Sequence, residues 1–180
     1  GWGLQREYFL GIEMLSKTQI QNNLNQIEKL YLKYTADRKW GLYFSKLAII
    51  EVCGWIEESM DNVVQGYAKR RLKQGNNLSW VKGFIEDTHS FKYDTHFRKM
   101  LIQVLGIINL ERLEQIFDQH KFTQMKSSLG VLRQLRDEQA HTHIKGTTMR
   151  IDAPSVTRKR FQNVYDGLKD IEYCMRKAKF

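Results

Sequence analysis

Apolar residues recur along this chain at the three- and four-residue spacing of an α-helix. Ile20, Leu24, Ile27, Tyr31 and Tyr34 step by four, three, four and three, which places them on one stripe of an amphipathic helix. "LAIIEVCGWIEESMDNVVQGYAKRRLK" repeats the rhythm through Ile49, Cys53, Ile56, Met60, Val63 and Tyr67, the pattern of a core helix. Gly54 beside Trp55 predicts close approach by a neighbouring helix, at some cost in helix propensity. "KQGNNLS" ends this segment and offers Ser79 as the cap of the next helix, because a serine oxygen accepts from the unpaired N–H groups of a first turn.

"YDTHFRKMLIQVLG" predicts a further helix closed by Gly106, "NLERLEQIF" a short one, and "SSLGVLRQLRDEQAHTH" another stopped by Gly146. Asp152-Ala153-Pro154 reads as a helix start, since a proline in the first turn gives up no hydrogen bond. Val156, Phe161, Val164, Leu168, Ile171 and Met175 carry the last helix to the C-terminus. No segment shows the strict alternation of a half-buried strand. The expected fold class is all-α: an antiparallel helical bundle with short additional helices. A length of 180 residues suits one domain spanning 1–180. Residues 36–180 would form the core bundle and 1–35 an N-terminal helix or arm.

Composition narrows the class. Hydrophobic residues make up 42% of the chain and only one proline, Pro154, interrupts it, which argues against disorder and leaves long helices intact. Cys53 and Cys174 lie far apart and match no metal-ligand spacing; they read as small core residues in a reducing compartment. No apolar run approaches the ~18 residues of a membrane span and no signal pattern opens the chain, so a cytoplasmic protein without membrane contact is expected. The net charge of +9 favours a polyanionic partner, because every neutralised phosphate releases condensed counterions. The basic residues cluster at Lys69, Arg70 and Arg71, at Arg158, Lys159 and Arg160, and at Arg176 and Lys177.

Metal chemistry finds little footing. Asp-Thr-His occurs at 87–89 and again at 94–96, but seven residues of helix separate the copies by about 10 Å, too far for one ion. His141 and His143 diverge by about 200° on a helix and have no third ligand nearby. No metal or other cofactor is expected. Glu51, Glu57, Glu58 and Asp61 ride the polar side of the second helix. Glu57 and Asp61, one turn apart, can pair as acids, although such residues are more often solvated or hold arginines of adjacent helices.

"LRQLRDEQAHTHIKG" (132–146) carries the strongest chemical signal. On a helix Asp137 and His141 are one turn apart, so the carboxylate can orient the imidazole. Arg136 and His143, seven apart, flank that pair. A guanidinium clamps phosphate and an imidazole moves protons near neutral pH, the parts needed to cleave a phosphodiester without metal. Arg136 would bind the scissile phosphate, His141 would handle protons, Asp137 would orient His141, and His143 would support them or be the alternative proton-transfer group.

Arg136-(x4)-His141, and Arg136-(x6)-His143 at the longest spacing, resemble the Arg-x4–6-His motif of HEPN domains (higher eukaryotes and prokaryotes nucleotide-binding). The motif sits at the end of the penultimate predicted helix, and "YFSKLAIIEVCGWIEESMDNVV" is similar to the RiboL-PSP-HEPN branch. The resemblance covers roughly residues 40–175, and Asp137 stands where many active members carry asparagine. It implies a homodimer whose two motifs meet in one cleft and cleave single-stranded RNA to 2′,3′-cyclic phosphate ends. It also implies a toxin–antitoxin or antiviral defence setting, with a cognate antitoxin or defence-system partner. The basic runs at 69–71 and 158–160 would hold the RNA backbone. A non-catalytic HEPN module that binds RNA, nucleotide or a partner protein is the alternative.

Overall fold

The computed structural model describes residues 15–141, 143–144 and 150–178, apart from the side chain of His141. Seven α-helices are present among them: α1 (Thr18–Lys33), α2 (Arg38–Arg71), α3 (Gly75–Glu86), α4 (Arg98–Leu105), α5 (Ile107–Glu114), α6 (Gln119–His141) and α7 (Pro154–Lys177). A single π-turn, Tyr93–Phe97, leads into α4. No strand occurs among the described residues. The chain is an all-α helical bundle.

The 34-residue α2 is its axis. Ala48, Ile49, Val52, Cys53, Ile56, Met60, Val63 and Val64 are buried, positions that cover one broad face of the helix, while Trp40, Tyr43, Leu47 and Ile50 on the opposite side stay part-exposed. That buried face makes it the core helix, and α1, α3, α4, α6 and α7 all contact it. Asp37 caps its start, with Oδ1 accepting from the Lys39 N–H at 3.0 Å. Its partner α1 contributes Ile20, Leu24 and Ile27 to the same core, so residues 18–33 pack as an extra helix and are not a projecting arm; residues 1–14 lie outside the description. Tyr34, at the end of the predicted stripe, stays 39% exposed.

Side-chain registers give the helix directions. Trp55 Nε1 donates to the Ser16 carbonyl at 2.9 Å and Asn23 Nδ2 to Glu51 Oε2 at 3.0 Å, so α1 and α2 are antiparallel. Asp118 N–H bonds Asp170 and Asn163 bonds Ser128, so α6 and α7 are antiparallel too. α2 and α7 run the same way, with the Trp55 ring on Phe161 near one end and Arg71 Nη2 donating to the Ala178 carbonyl at the other.

Several element boundaries differ from those expected. Ser79 lies inside α3 and does not cap it: Gly75-Asn76-Asn77 already belongs to the helix. α6 begins well before Ser127, because Asp118 Oδ1 accepts from the N–H groups of His120 and Lys121, both at 3.1 Å, a side-chain N-cap. At its other end α6 stops at His141, so His143 is off the helix and the expected Arg136/His143 alignment on one helical face is not realised. The expected stop at Gly146 lies outside the described residues. Gly106 does end α4, at φ +76°, a conformation that suits glycine.

The close helix approach expected at Gly54 is found elsewhere. A Cβ at Gly54 would meet nothing within 4 Å, whereas one at Gly167 would lie 2.5 Å from Met125 Cβ. Gly167 is where α6 and α7 touch.

Candidate functional site

Arg136 projects from the penultimate turn of α6 toward α2. Its Nη1 meets Glu57 Oε1 at 2.5 Å, and its Nε and Nη2 both reach Asp137 Oδ1 at a long 3.4 Å. The guanidinium lies over the Phe91 ring, 5.2 Å from its centre, a cation–π contact that fixes the plane of the group. It nonetheless stays 27% exposed. One strong partner, two weak ones and a ring thus hold an arginine that keeps access to solvent, and a guanidinium has five N–H donors to distribute.

Asp137 has a different partner from the one expected. Its Oδ2 pairs with Arg133 Nη2 at 3.6 Å, one turn back on α6, and its Oδ1 faces Arg136. Asp137 is thus held between two arginines. The backbone register still puts His141 one turn beyond Asp137, but the imidazole lies outside the described residues. His143 is described and exposed.

Around this pair sits a group of residues that the sequence reading treated separately. Glu57, weighed as a paired acid with Asp61, is the anchor of Arg136. Burial raises the Asp61 carboxyl to about 6, and the like charges of Glu57 and Glu58 push in the same direction. Cys53, one turn before Glu57, donates to the Leu132 carbonyl at 3.7 Å. Burial pushes its thiol up to about 12, although Arg136 pulls the other way. Cys53 is therefore a neutral packing residue and no nucleophile. His96, in the π-turn, is held below its ordinary value by burial and by the cations Arg133, Lys92 and Lys99, which favours its neutral form. In the sequence it is set aside with the Asp-Thr-His repeat, whose two copies lie too far apart to share one ion. The signal that could have found Arg133 was present: Arg133-(x3)-Asp137 is an i,i+4 ion-pair spacing.

The predicted RNA-binding residues divide into two kinds. Lys69, Arg70 and Arg71 are exposed at the C-terminal end of α2, where cations also offset the helix dipole. Arg71 lies over the Tyr67 ring at 5.6 Å. Arg70 is held below its ordinary value by partial burial and by Arg176, so these cations crowd one another. In the second run, Arg158 pairs with Glu28 and Arg160 with Asp152 at 2.8 Å, leaving Lys159 exposed between them. The first run is the more available to a ligand.

Among the described residues no group of three His, Cys, Asp or Glu side chains could hold a metal ion, and no helix is long and apolar enough to cross a membrane. No family model, curated protein or solved structure matches this chain.

Proposed function

We propose that the chain is a HEPN-type, metal-independent endoribonuclease acting on single-stranded RNA, with half of its active site at the end of α6. The Arg136 clamp carries this reading: a part-exposed guanidinium fixed by Glu57, Asp137 and Phe91, five residues before His141. The long Asp137 contacts cost little to exchange, so a phosphodiester can take the Nε/Nη2 edge while Glu57 keeps Nη1 in place. A histidine, His141 or His143, then removes the proton of the ribose 2′-hydroxyl. The oxygen attacks phosphorus, the P–O5′ bond breaks as the 5′-oxygen takes a proton from a histidine imidazolium, and Arg136 offsets the charge growing on the phosphoryl oxygens.

A helix turns Arg136 and His141 roughly 140° apart, so one protomer supplies them poorly to a single phosphate and a second copy would complete the site. An apolar stripe supports that reading. Trp40, Tyr43, Leu47 and Ile50 are spaced by three and four along α2 and are 39–50% exposed, and Gly54 and Glu57 continue the same heptad positions. Pairing two copies along this seam would bury it and bring the two Arg136 clamps close together. A toxin–antitoxin or defence role, with a neutralising partner and a cytoplasmic site of action, belongs to the same proposal.

The test is RNA cleavage by purified protein in EDTA. Arg136→Ala and His141→Ala should each lower the rate by about 10²–10⁴-fold while folding and dimerisation persist. Equal background cleavage in all three proteins refutes the enzyme. A second reading then holds, and one observation favours it: Arg136 is already engaged by two carboxylates, as a residue that ties α6 to α2 or recognises a partner would be. That reading predicts a large stability loss for Arg136→Ala with no catalytic phenotype.

A further inference from the structure

A second feature lies further along α2. Beyond the Glu57 site the helix meets α3 and α4 around a cavity of about 210 Å³, open to solvent and lined by Tyr67, Arg71, Asn77, Trp80, Val81 and Gln103 among others. It is smaller than the ~300–1,000 Å³ of drug-sized ligand clefts, so it suits one flat ring system. Trp80 is 59% exposed at its mouth, with its ring steadied edge-on against Phe84 at 5.1 Å. Its open indole face is a flat surface on which another ring can stack. Asn77 and Gln103 are exposed carboxamides, and each offers two donors and one acceptor. Arg71 stands on the wall, and the exposed Lys69 and Lys73 lie two residues to either side of it in the chain. No carboxylate lines the cavity.

We infer that this cavity receives one unpaired nucleobase of a single-stranded RNA, with the base stacked on Trp80, its edge read by Asn77 and Gln103, and its flanking phosphates held by Arg71, Lys69 and Lys73. Each part of the occupant follows from a part of the cavity. The exposed indole calls for a planar ring, the two amides for a hydrogen-bonding edge, and Arg71 with the neighbouring exposed lysines for the flanking phosphates. Aromatic stacking beside a cationic track is the general means of binding single strands. Duplex RNA is excluded, because its bases are not free to enter. Arg71 lies fourteen residues beyond Glu57 and so holds the same heptad position about 21 Å further along α2. A strand lying along α2 therefore spans both sites. The choice of RNA rests on the nuclease reading; the choice of an unpaired base rests on the cavity.

Binding is measured in the Arg136→Ala background, so that cleavage plays no part, by fluorescence anisotropy of a labelled ten-nucleotide oligoadenylate. Trp80→Ala should weaken affinity by about 5- to 150-fold, equivalent to the ~1–3 kcal/mol of one stacked base, and Trp80→Phe should restore most of it. Its salt dependence should match that of the parent, whereas Lys69→Ala should reduce the slope by roughly 0.7. Unchanged affinity in Trp80→Ala and in Gln103→Ala overturns the inference. So does equal binding of a duplex of the same length, or adenosine monophosphate binding as tightly as the oligomer. If Trp80→Ala loses binding while no protein cleaves RNA, the cavity stands and the nuclease falls. If cleavage by the otherwise wild-type chain is unaffected by Trp80→Ala and binding is unaltered, the nuclease stands and the cavity falls.

Discussion

Asp61→Asn should make this protein more stable at neutral pH, with a gain that vanishes in acid. Asp61 lies one turn beyond Glu57, partly buried, and its carboxyl is raised from 3.8 to about 6, first by burial and then by Glu57 and Glu58. The folded state therefore holds a proton that the unfolded state has released between those two values. Where the native state binds more protons, stability falls as pH rises. The penalty is absent below about pH 3.8, grows through the interval and is complete above about 6. That interval corresponds to about 3 kcal/mol; discounting for solvent around a part-exposed group leaves roughly 1–2 kcal/mol.

Asparagine keeps the shape and removes the charge. Urea unfolding of both proteins at intervals from pH 4 to 8 should give curves that agree at the acid end and separate by roughly 1–2 kcal/mol at pH 7. Repeating the comparison in a Glu57→Gln background should shrink the gap, because one of the like charges is gone, while the burial contribution remains. A gap that is constant across the pH range, or an asparagine variant that is the less stable at pH 8, would refute the reasoning.

Three other outcomes follow from the packing. Gly167→Ala should destabilise by about 1–3 kcal/mol, since the new methyl would lie 2.5 Å from Met125 Cβ; thermal unfolding reads this, and the same change at Gly54 should lack that penalty because nothing lies within reach. Glu114 accepts from Tyr93 at 2.7 Å and from Arg98 through both oxygens at 2.8 and 3.0 Å, and despite partial burial those hydrogen bonds hold its carboxyl below the ordinary range. Its contribution is therefore complete above the unfolded carboxylate value and is lost as pH falls through the lower folded one. Glu114→Gln should cost about 1–3 kcal/mol near neutral pH, with the difference closing in strong acid, as denaturant titration would show. Finally, the Cys53 thiol, raised to about 12, should resist alkylation by iodoacetamide at pH 8 until the protein is unfolded; rapid labelling of the native state, resolved from Cys174 by peptide mapping, would contradict its burial.

Periodicity determined much of this molecule. The stripe from Ile49 to Tyr67 is buried throughout because apolar residues at helical spacing form one continuous face, and that face is stable only against other helices. Pro154 starts α7 and Gly106 ends α4 because their backbone restrictions act locally, whatever the neighbours are. The same local logic put Asp137 one turn before His141 on α6, with Arg136 beside them.

Only tertiary structure could decide what those groups face. Glu57 and Arg136 are 79 residues apart, and no spacing rule links two helices across such a distance. Packing chose Glu57 over Glu58 as the anchor, gave Asp137 to two arginines, left Gly54 in open space and pressed Gly167 against Met125. It also set Trp80, Asn77 and Gln103 around one cavity from two different helices. A sequence states which side chains share a turn; which turns share a neighbour depends on how whole helices fit their volumes together.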